Sequence, residues 1–212
     1  MPRGRLITLE GGEGAGKSTQ CARLAAWLEG QGLKVVQTRE PGGTPEAEAI
    51  RRLLLGEGAL RWDAMSEALL LFAARRAHVS GLIAPALARG AWVVCDRFTD
   101  STMAYQGYAL GLGREMVERL AAIALGDLHP DLTLILDVPV AEGLARAAAR
   151  RDGDHRFERM DEGFHQALRD AFQDIARREP GRCAVIDAAG SVDAVAQAIE
   201  GEVRRRLALH AA

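Results

Sequence analysis

The chain is predicted to fold as an α/β protein built on an open, mostly parallel sheet, and three observations carry that expectation. Short apolar runs alternate with longer helical patterns along its 212 residues. Several of those runs are apolar almost throughout, as strands buried on both faces are. A glycine-rich stretch, GGEGAGKSTQ (11–20), follows the first run and opens the first helical segment.

The strand candidates, in order, are RLITLE (5–10), LKVVQT (33–38), AWVVCD (91–96), LTLILD (132–137) and RCAVID (182–187). Helix-length segments lie at about 17–30, 46–55, 64–89, 114–125, 140–151, 162–178 and 192–208. GQG at 30–32 and RG at 89–90 are stop signals placed just before strands. Strand, helix, strand in succession reads as β-α-β units of one sheet. Unusual chemistry interrupts the pattern at 39–45, 96–113 and 151–161. In such sheets the loops at the carboxyl ends of the strands gather into the site.

The length suits one domain, expected over 1–212. Hydrophobic residues make up 48% and charged ones 26%, with a formal net charge of −2. That balance gives no basic field for nucleic acid or an anionic membrane surface. No apolar stretch reaches the ~20 residues of a membrane span, and no leader-like segment is apparent, so a soluble, cytoplasmic protein is expected. Cys21, Cys95 and Cys183 are far apart with no CxxC, the pattern of buried reduced thiols. The five histidines are scattered, and none is a candidate for catalysis.

Gly11 to Ser18 fits G-x-x-x-x-G-K-[ST] between a strand and a helix, the context of a phosphate-binding loop. Gly11, Gly14 and Gly16 tolerate the angles that turn successive N–H groups inward around a phosphate. The helix starting near Lys17 adds its positive dipole end. Lys17 brings a full charge to the β- and γ-phosphates, Ser18 a hydroxyl for Mg²⁺, and Thr19 a second hydroxyl toward the α-phosphate. Gly11, Gly12, Glu13, Gly14, Ala15, Gly16, Lys17, Ser18 and Thr19 are thus the expected ATP-binding residues.

Three further stretches carry charge to strand ends. VVCDRFTDSTMAYQG (93–107) ends a strand on Asp96, which can hold Mg²⁺ or its waters, and Arg97, which can clamp phosphate bidentately. TREPGGT (38–44) joins Arg39 and Glu40 to a Pro-Gly-Gly turn and leaves the isomer of the bond to Pro41 open. ARAAARRDGDHRFER (145–159) is an arginine-dense helix end with a Gly-Asp break. It reads as a solvated face or, in a phosphotransferase, as a lid that brings cations over the transferring group.

These residues resemble the bacterial thymidylate kinases among the nucleoside monophosphate kinases. LEGGEGAGKST, TREPGGTPEAEAIRRLLL, LLLFAAR, PALARG, CDRFTDSTMAYQG, GDLHPDLTLILDVP and RFE are the matching pieces, colinear over about 5–172. The resemblance implies a three-layer fold of the P-loop NTPase type, a five-stranded sheet ordered 2-3-1-4-5, an arginine-rich lid at about 150–161, and a homodimer. It implies transfer of the γ-phosphate of ATP to dTMP with Mg²⁺ as cofactor. By the same resemblance Glu13 lies near the acceptor phosphate and the metal, Ser18 and Asp96 belong to the metal site, and Arg97 bridges the phosphates. Arg51 matches an acceptor-phosphate arginine, Phe72 the ring that stacks on thymine, and Arg75 the donor to its O4. Thr102 and Gln106 should face the base edge and Tyr105 the deoxyribose, with Glu40, Pro41 and Ser101 in the same acceptor site. The loop DAAG (187–190) falls where adenine rests. Taken alone, Phe72 in a Leu-Leu-Leu-Phe run reads as a core aromatic.

Some spacings depart from the family. Its ring and arginine are usually four residues apart, whereas FAARR offers Arg75 at three and Arg76 at four. An ungapped count to Pro85 selects Arg75 and leaves Phe72 one position late. DHRFE carries an extra residue against the usual lid motif, and YQGYALG lacks an arginine that the family's commoner glycine-rich form has. Between Gly11 and Lys17 there is no cation, so the catalytic arginine is expected from the lid, with Arg150 or Arg156 favoured among Arg146, Arg150, Arg151, Arg156 and Arg159. The alternatives are a kinase for another nucleoside monophosphate and a nucleotide switch without an acceptor; the N-K-x-D motif expected of a small GTPase is missing.

Overall fold

The computed structural model describes residues 3–56, 61–149, 157 and 160–209. Strands β1 (Leu6–Gly11), β2 (Val35–Arg39), β3 (Trp92–Asp96), β4 (Leu132–Asp137) and β5 (Cys183–Asp187) form one parallel sheet in the order β2-β3-β1-β4-β5. The helices are α1 (Lys17–Gly30), α2 (Pro45–Leu55), α3 (Ala64–His78), α4 (Ala84–Ala88), α5 (Thr99–Thr102), α6 (Arg114–Leu125), α7 (Val140–Ala148), α8 (Glu162–Arg178) and α9 (Val192–Leu207). The expected 64–89 helix is continuous except that its turns widen to π geometry at Val79–Ile83 before α4.

Alternation along the strands sorts the core. Ile7, Leu9, Val94, Leu132, Leu134 and Leu136 face α1 and α9, packing on Leu24, Leu28, Val195 and Ile199. On the other face Leu6, Val93 and Cys95 meet Val79, Ile83 and Leu87, while Ile135 meets the α8 side chains Leu168 and Phe172. The edge strand β5 closes the row, with Asp187 level with Asp137 of β4.

Register places the chemistry. Asp96 pairs level with Leu9 on one side and Arg39 on the other, so the carboxyl ends of β1, β2 and β3 open at one edge. The loop after β1 rests directly on α7. Gly14 has φ +69, and a Cβ there would lie 1.8 Å from the Gly143 carbonyl oxygen; a Cβ on Gly143 would lie 2.6 Å from the Glu13 carbonyl oxygen. Two backbones therefore touch where any side chain would part them.

Residues 99–109 are helical, α5 running into a π-type segment Met103–Ala109, where the sequence shows only an interruption. Threonine and glycine in TDSTMAYQGYA mask it, and burial of Thr102, Met103, Ala104, Tyr105 and Gln106 supplies what propensity lacks.

Candidate active site

The loop between β1 and α1 wraps back on itself. Lys17 Nζ donates to the Gly12 carbonyl at 2.6 Å, and Gly16, at φ 87, caps α1 in a left-handed conformation. Burial of Lys17 and the nearby charge of Arg97 pull its ammonium down to about 8, against Glu13, Asp96 and Glu10. Ser18 donates to Asp96 Oδ2 at 2.5 Å, which joins α1 to the end of β3.

Arg97 follows Asp96 with φ 67, a left-handed backbone that a side chain rarely adopts. Its N–H donates to the Leu9 carbonyl at 3.0 Å and the Phe98 N–H to Glu10 at 2.7 Å, which hold the turn from behind. The guanidinium then reaches Glu13 at 2.9 Å, Ser101 Oγ at 3.1 Å and the Gly11 carbonyl at 3.3 Å, and lies over the Tyr105 ring. Tyr105 donates its hydroxyl to the same Glu13 oxygen at 2.6 Å. Glu13 thus collects Arg97 and Tyr105 beside Lys17.

A cavity of about 260 Å³ opens beside these groups. At the end toward the β1–α1 loop it is lined by Glu13, Gly14, Gly16, Lys17, Ser18, Asp96 and Arg97. Glu40, Pro41, Arg51, Ser101, Thr102, Tyr105 and Gln106 line the rest with Arg75. The Glu40–Pro41 bond is cis, and Arg51 donates to the Pro41 carbonyl at 2.9 Å. Arg75 Nε donates to Glu40 at 2.6 Å, and its Nη2 donates to the Phe98 carbonyl and Thr102 Oγ1 at 3.0 and 3.1 Å. Gln106 donates to Glu67 at 2.9 Å. Two buried atoms in this wall, Arg75 Nη1 and Gln106 Oε1, are left without a partner. Arg76 instead points outward, toward the Ala124 carbonyl.

Phe72 does not line the cavity. It is buried with Met103, Tyr105 and Phe164 in the core under the site, its ring 4.8 Å from the Arg75 guanidinium. Leu71 takes the wall position, in register with Glu67 and Arg75 at successive steps of four along α3. The ring expected against the base thus lies in the core under the site, as the residue read alone suggests, and Leu71 stands at the cavity wall in its stead. Gly11 and Gly12 sit behind the loop, Ala15 is buried in the core, and Thr19 is exposed at the start of α1. Phe157 closes on the cavity, edge to the Tyr105 ring at 4.9 Å. Arg150 and Arg156, with most of the expected lid, lie outside the described residues.

Glu67, Leu71 and Phe157 also join the wall, although none is among the expected site residues; the spacing of four to Arg75 marks the first two. Arg146 of α7, also in the expected lid set, donates to the carbonyls of Ala188 and Ala189 at 2.8 and 3.0 Å, and so grips the DAAG loop. Among the described residues no group of three or more His, Cys, Asp or Glu could cage a metal. The hydroxyl–carboxylate pair of Ser18 and Asp96 still fits Mg²⁺, which keeps its waters and takes one or two protein ligands beside phosphate oxygens.

The family model described as thymidylate kinase matches residues 9–199. A thymidylate kinase of Bradyrhizobium sp. strain BTAi1 is 53% identical over 207 residues, covering 97% of this chain and 92% of its own. One from Caulobacter vibrioides is 53% identical over 209 residues, covering 99% and 100%. The crystal structure of the Ehrlichia chaffeensis thymidylate kinase superposes with a TM-score of 0.78 at 37% identity, over 96% of this chain and 99% of that one.

Proposed function

The chain belongs to the thymidylate kinase family, and from that premise we propose that it transfers the γ-phosphate of ATP to dTMP, giving dTDP. The observation that carries the acceptor assignment is the pair of unpartnered atoms in the cavity wall, a donor on Arg75 and an acceptor on Gln106. A buried polar atom left unpaired costs about 1–3 kcal/mol, so the site favours a ligand that completes both. Thymine offers a 4-oxo acceptor beside an N3–H donor, the complement of that pair. Cytosine and adenine offer the inverse.

Phosphoryl transfer asks for alignment and charge neutralisation rather than a covalent intermediate. Lys17 meets the donor phosphates, Arg97 spans the gap to the acceptor phosphate, and Glu13 with Tyr105 holds Arg97 in place. Arg51, beside the cis Pro41 turn, takes the acceptor phosphate. Ser18 and Asp96 would hold Mg²⁺, which would supply positive charge to offset that of the phosphates. Arg150 or Arg156 of the lid supplies the further cation at the transferring group. The reading extends to a cytoplasmic homodimer that needs no membrane or nucleic acid; no described helix is long and apolar enough to cross a membrane.

A coupled assay with ATP and Mg²⁺ across dTMP, dUMP, dCMP, dAMP and dGMP tests the reaction. dTMP should lead, dUMP should follow for want of the methyl, and dGMP, which shares the oxo and N–H pattern in a larger ring, should fail on size. Lys17→Ala should fold normally and lose ~10²–10³ in kcat, as when one charge-stabilising donor is removed. Equal rates for dCMP and dTMP would sink the acceptor assignment.

A further inference from the structure

Arg75 reaches the cavity already oriented, by buried polar groups that phosphate chemistry does not use. Arg75 and His78 stand three residues apart on α3 and so share a face. Glu40, just past β2, holds both: its Oε2 accepts from Arg75 Nε at 2.6 Å and its Oε1 lies 3.0 Å from His78 Nδ1. A carboxylate only accepts, so Nδ1 carries the hydrogen. On its other side Nε2 lies 2.7 Å from the Thr38 hydroxyl, which can donate or accept. His78 is wholly buried, and Arg75 and Glu40 nearly so. The loop is shaped around the ring: Gly43 has φ +89, and a Cβ there would lie 2.4 Å from His78 Nε2.

The way Glu40 holds Arg75 is unusual for the pair. Arginine and carboxylate left to themselves settle into a two-pronged fork, two N–H groups on two oxygens. Here the second oxygen is taken by the imidazole. Arg75 keeps one contact to Glu40 through Nε, its Nη2 is turned to Phe98 and Thr102, and Nη1, on a residue that lines the cavity, is left without a partner.

We propose that His78 is a positioning residue for base recognition, which by occupying Glu40 Oε1 keeps Arg75 out of the fork and aims Nη1 at the 4-oxo oxygen of the acceptor. The proposal rests on the reading that Arg75 meets that oxygen. It is tested by calorimetric binding of dTMP and of 4-thio-dTMP, in which a weaker sulfur acceptor replaces the oxygen. The wild type should prefer dTMP several-fold. His78→Leu should lose roughly tenfold in dTMP affinity, the worth of a hydrogen bond from a charged donor. Its oxygen-over-sulfur preference should shrink toward one while the KM for ATP stays put. His78→Asn, whose amide can donate to Oε1, should restore most of both. Thr38→Val, which frees Nε2, should move in the direction of His78→Leu and serves if the leucine variant does not fold. Unchanged dTMP affinity and preference in His78→Leu, or in Thr38→Val if that stands in for it, overturns the proposal, as does an asparagine variant as damaged as the leucine one. An Arg75→Ala variant that keeps the oxygen preference would instead bring down the reading of Arg75 itself, and His78 with it.

Discussion

Glu10, the last residue but one of β1, is a carboxyl group with no exposure to water. Burial and the neighbouring Asp100 push it up to about 7, against Ser101, Arg97 and the Phe98 N–H. An unfolded chain loses that proton near 4.5. The folded state therefore binds the proton more tightly, and the stability so contributed is complete below about 4.5 and is lost as pH rises through about 7. Glu10→Gln cannot ionise. Between pH 5 and pH 8 the wild type should thus lose melting temperature relative to that variant, by at least about 2–4 °C, the shift of one kcal/mol in a domain of this size. Parallel melting curves across that range would show that Glu10 does not titrate there. One step along α3, Leu71 and Phe72 divide wall from core. Leu71→Ala should weaken dTMP binding roughly 3–10-fold by removing apolar contact, whereas Phe72→Leu should cost about 1 kcal/mol in stability and leave affinity within twofold. The reverse order would restore the ring to the base. Arg75 was legible by counting to Pro85, but a helix turns about 100° per residue, so a register one place out carries a side chain from cavity to core. Nothing local in LLLFAAR marks which leucine faces the ligand.

At the scale of elements, most of the chain follows from pattern. The expected helices at 17–30, 114–125 and 162–178 match α1, α6 and α8 end for end, and the strands shift by two residues at most. Sheets buried on both faces leave apolar runs that read plainly, and amphipathic helices leave their stripe. The helical stretch 99–109 was illegible because its drive is tertiary: a segment of weak propensity is held by packing on α8 and by Arg75, Glu10 and Glu67 bonding to Thr102, Ser101 and Gln106. The family pattern brought Thr102, Tyr105 and Gln106 to attention without showing the helix that presents them. α7 gives a further division of labour. Arg146 is engaged with the loop after β5, where the family resemblance puts adenine, so its proposed place is at that end rather than at the transferring phosphate. Arg146→Ala should raise the KM for ATP several-fold, with kcat and the KM for dTMP within about twofold, since two charge-assisted bonds of roughly 1.5–3 kcal/mol each are partly replaced by water. A fall in kcat alone would place Arg146 at the reacting group instead.

The whole molecule presents its charged strand ends on one edge and its barest apolar surface elsewhere. Ile123 on α6 is 84% exposed and Leu69 on α3 is 51% exposed, and these two helices pack against each other. Large apolar side chains so exposed on neighbouring helices are what a self-associating face offers. If the proposed homodimer uses this face, Ile123→Glu should lower the molar mass measured by light scattering from dimer toward monomer at micromolar concentration; an unchanged dimer mass would move the interface to another face. The seam between Gly14 and Gly143 has a consequence of another kind. It acts as a bearing without play. A joint of this sort tolerates no shim: a single methyl inserted on either side would lever the loop after β1 off its seat on α7.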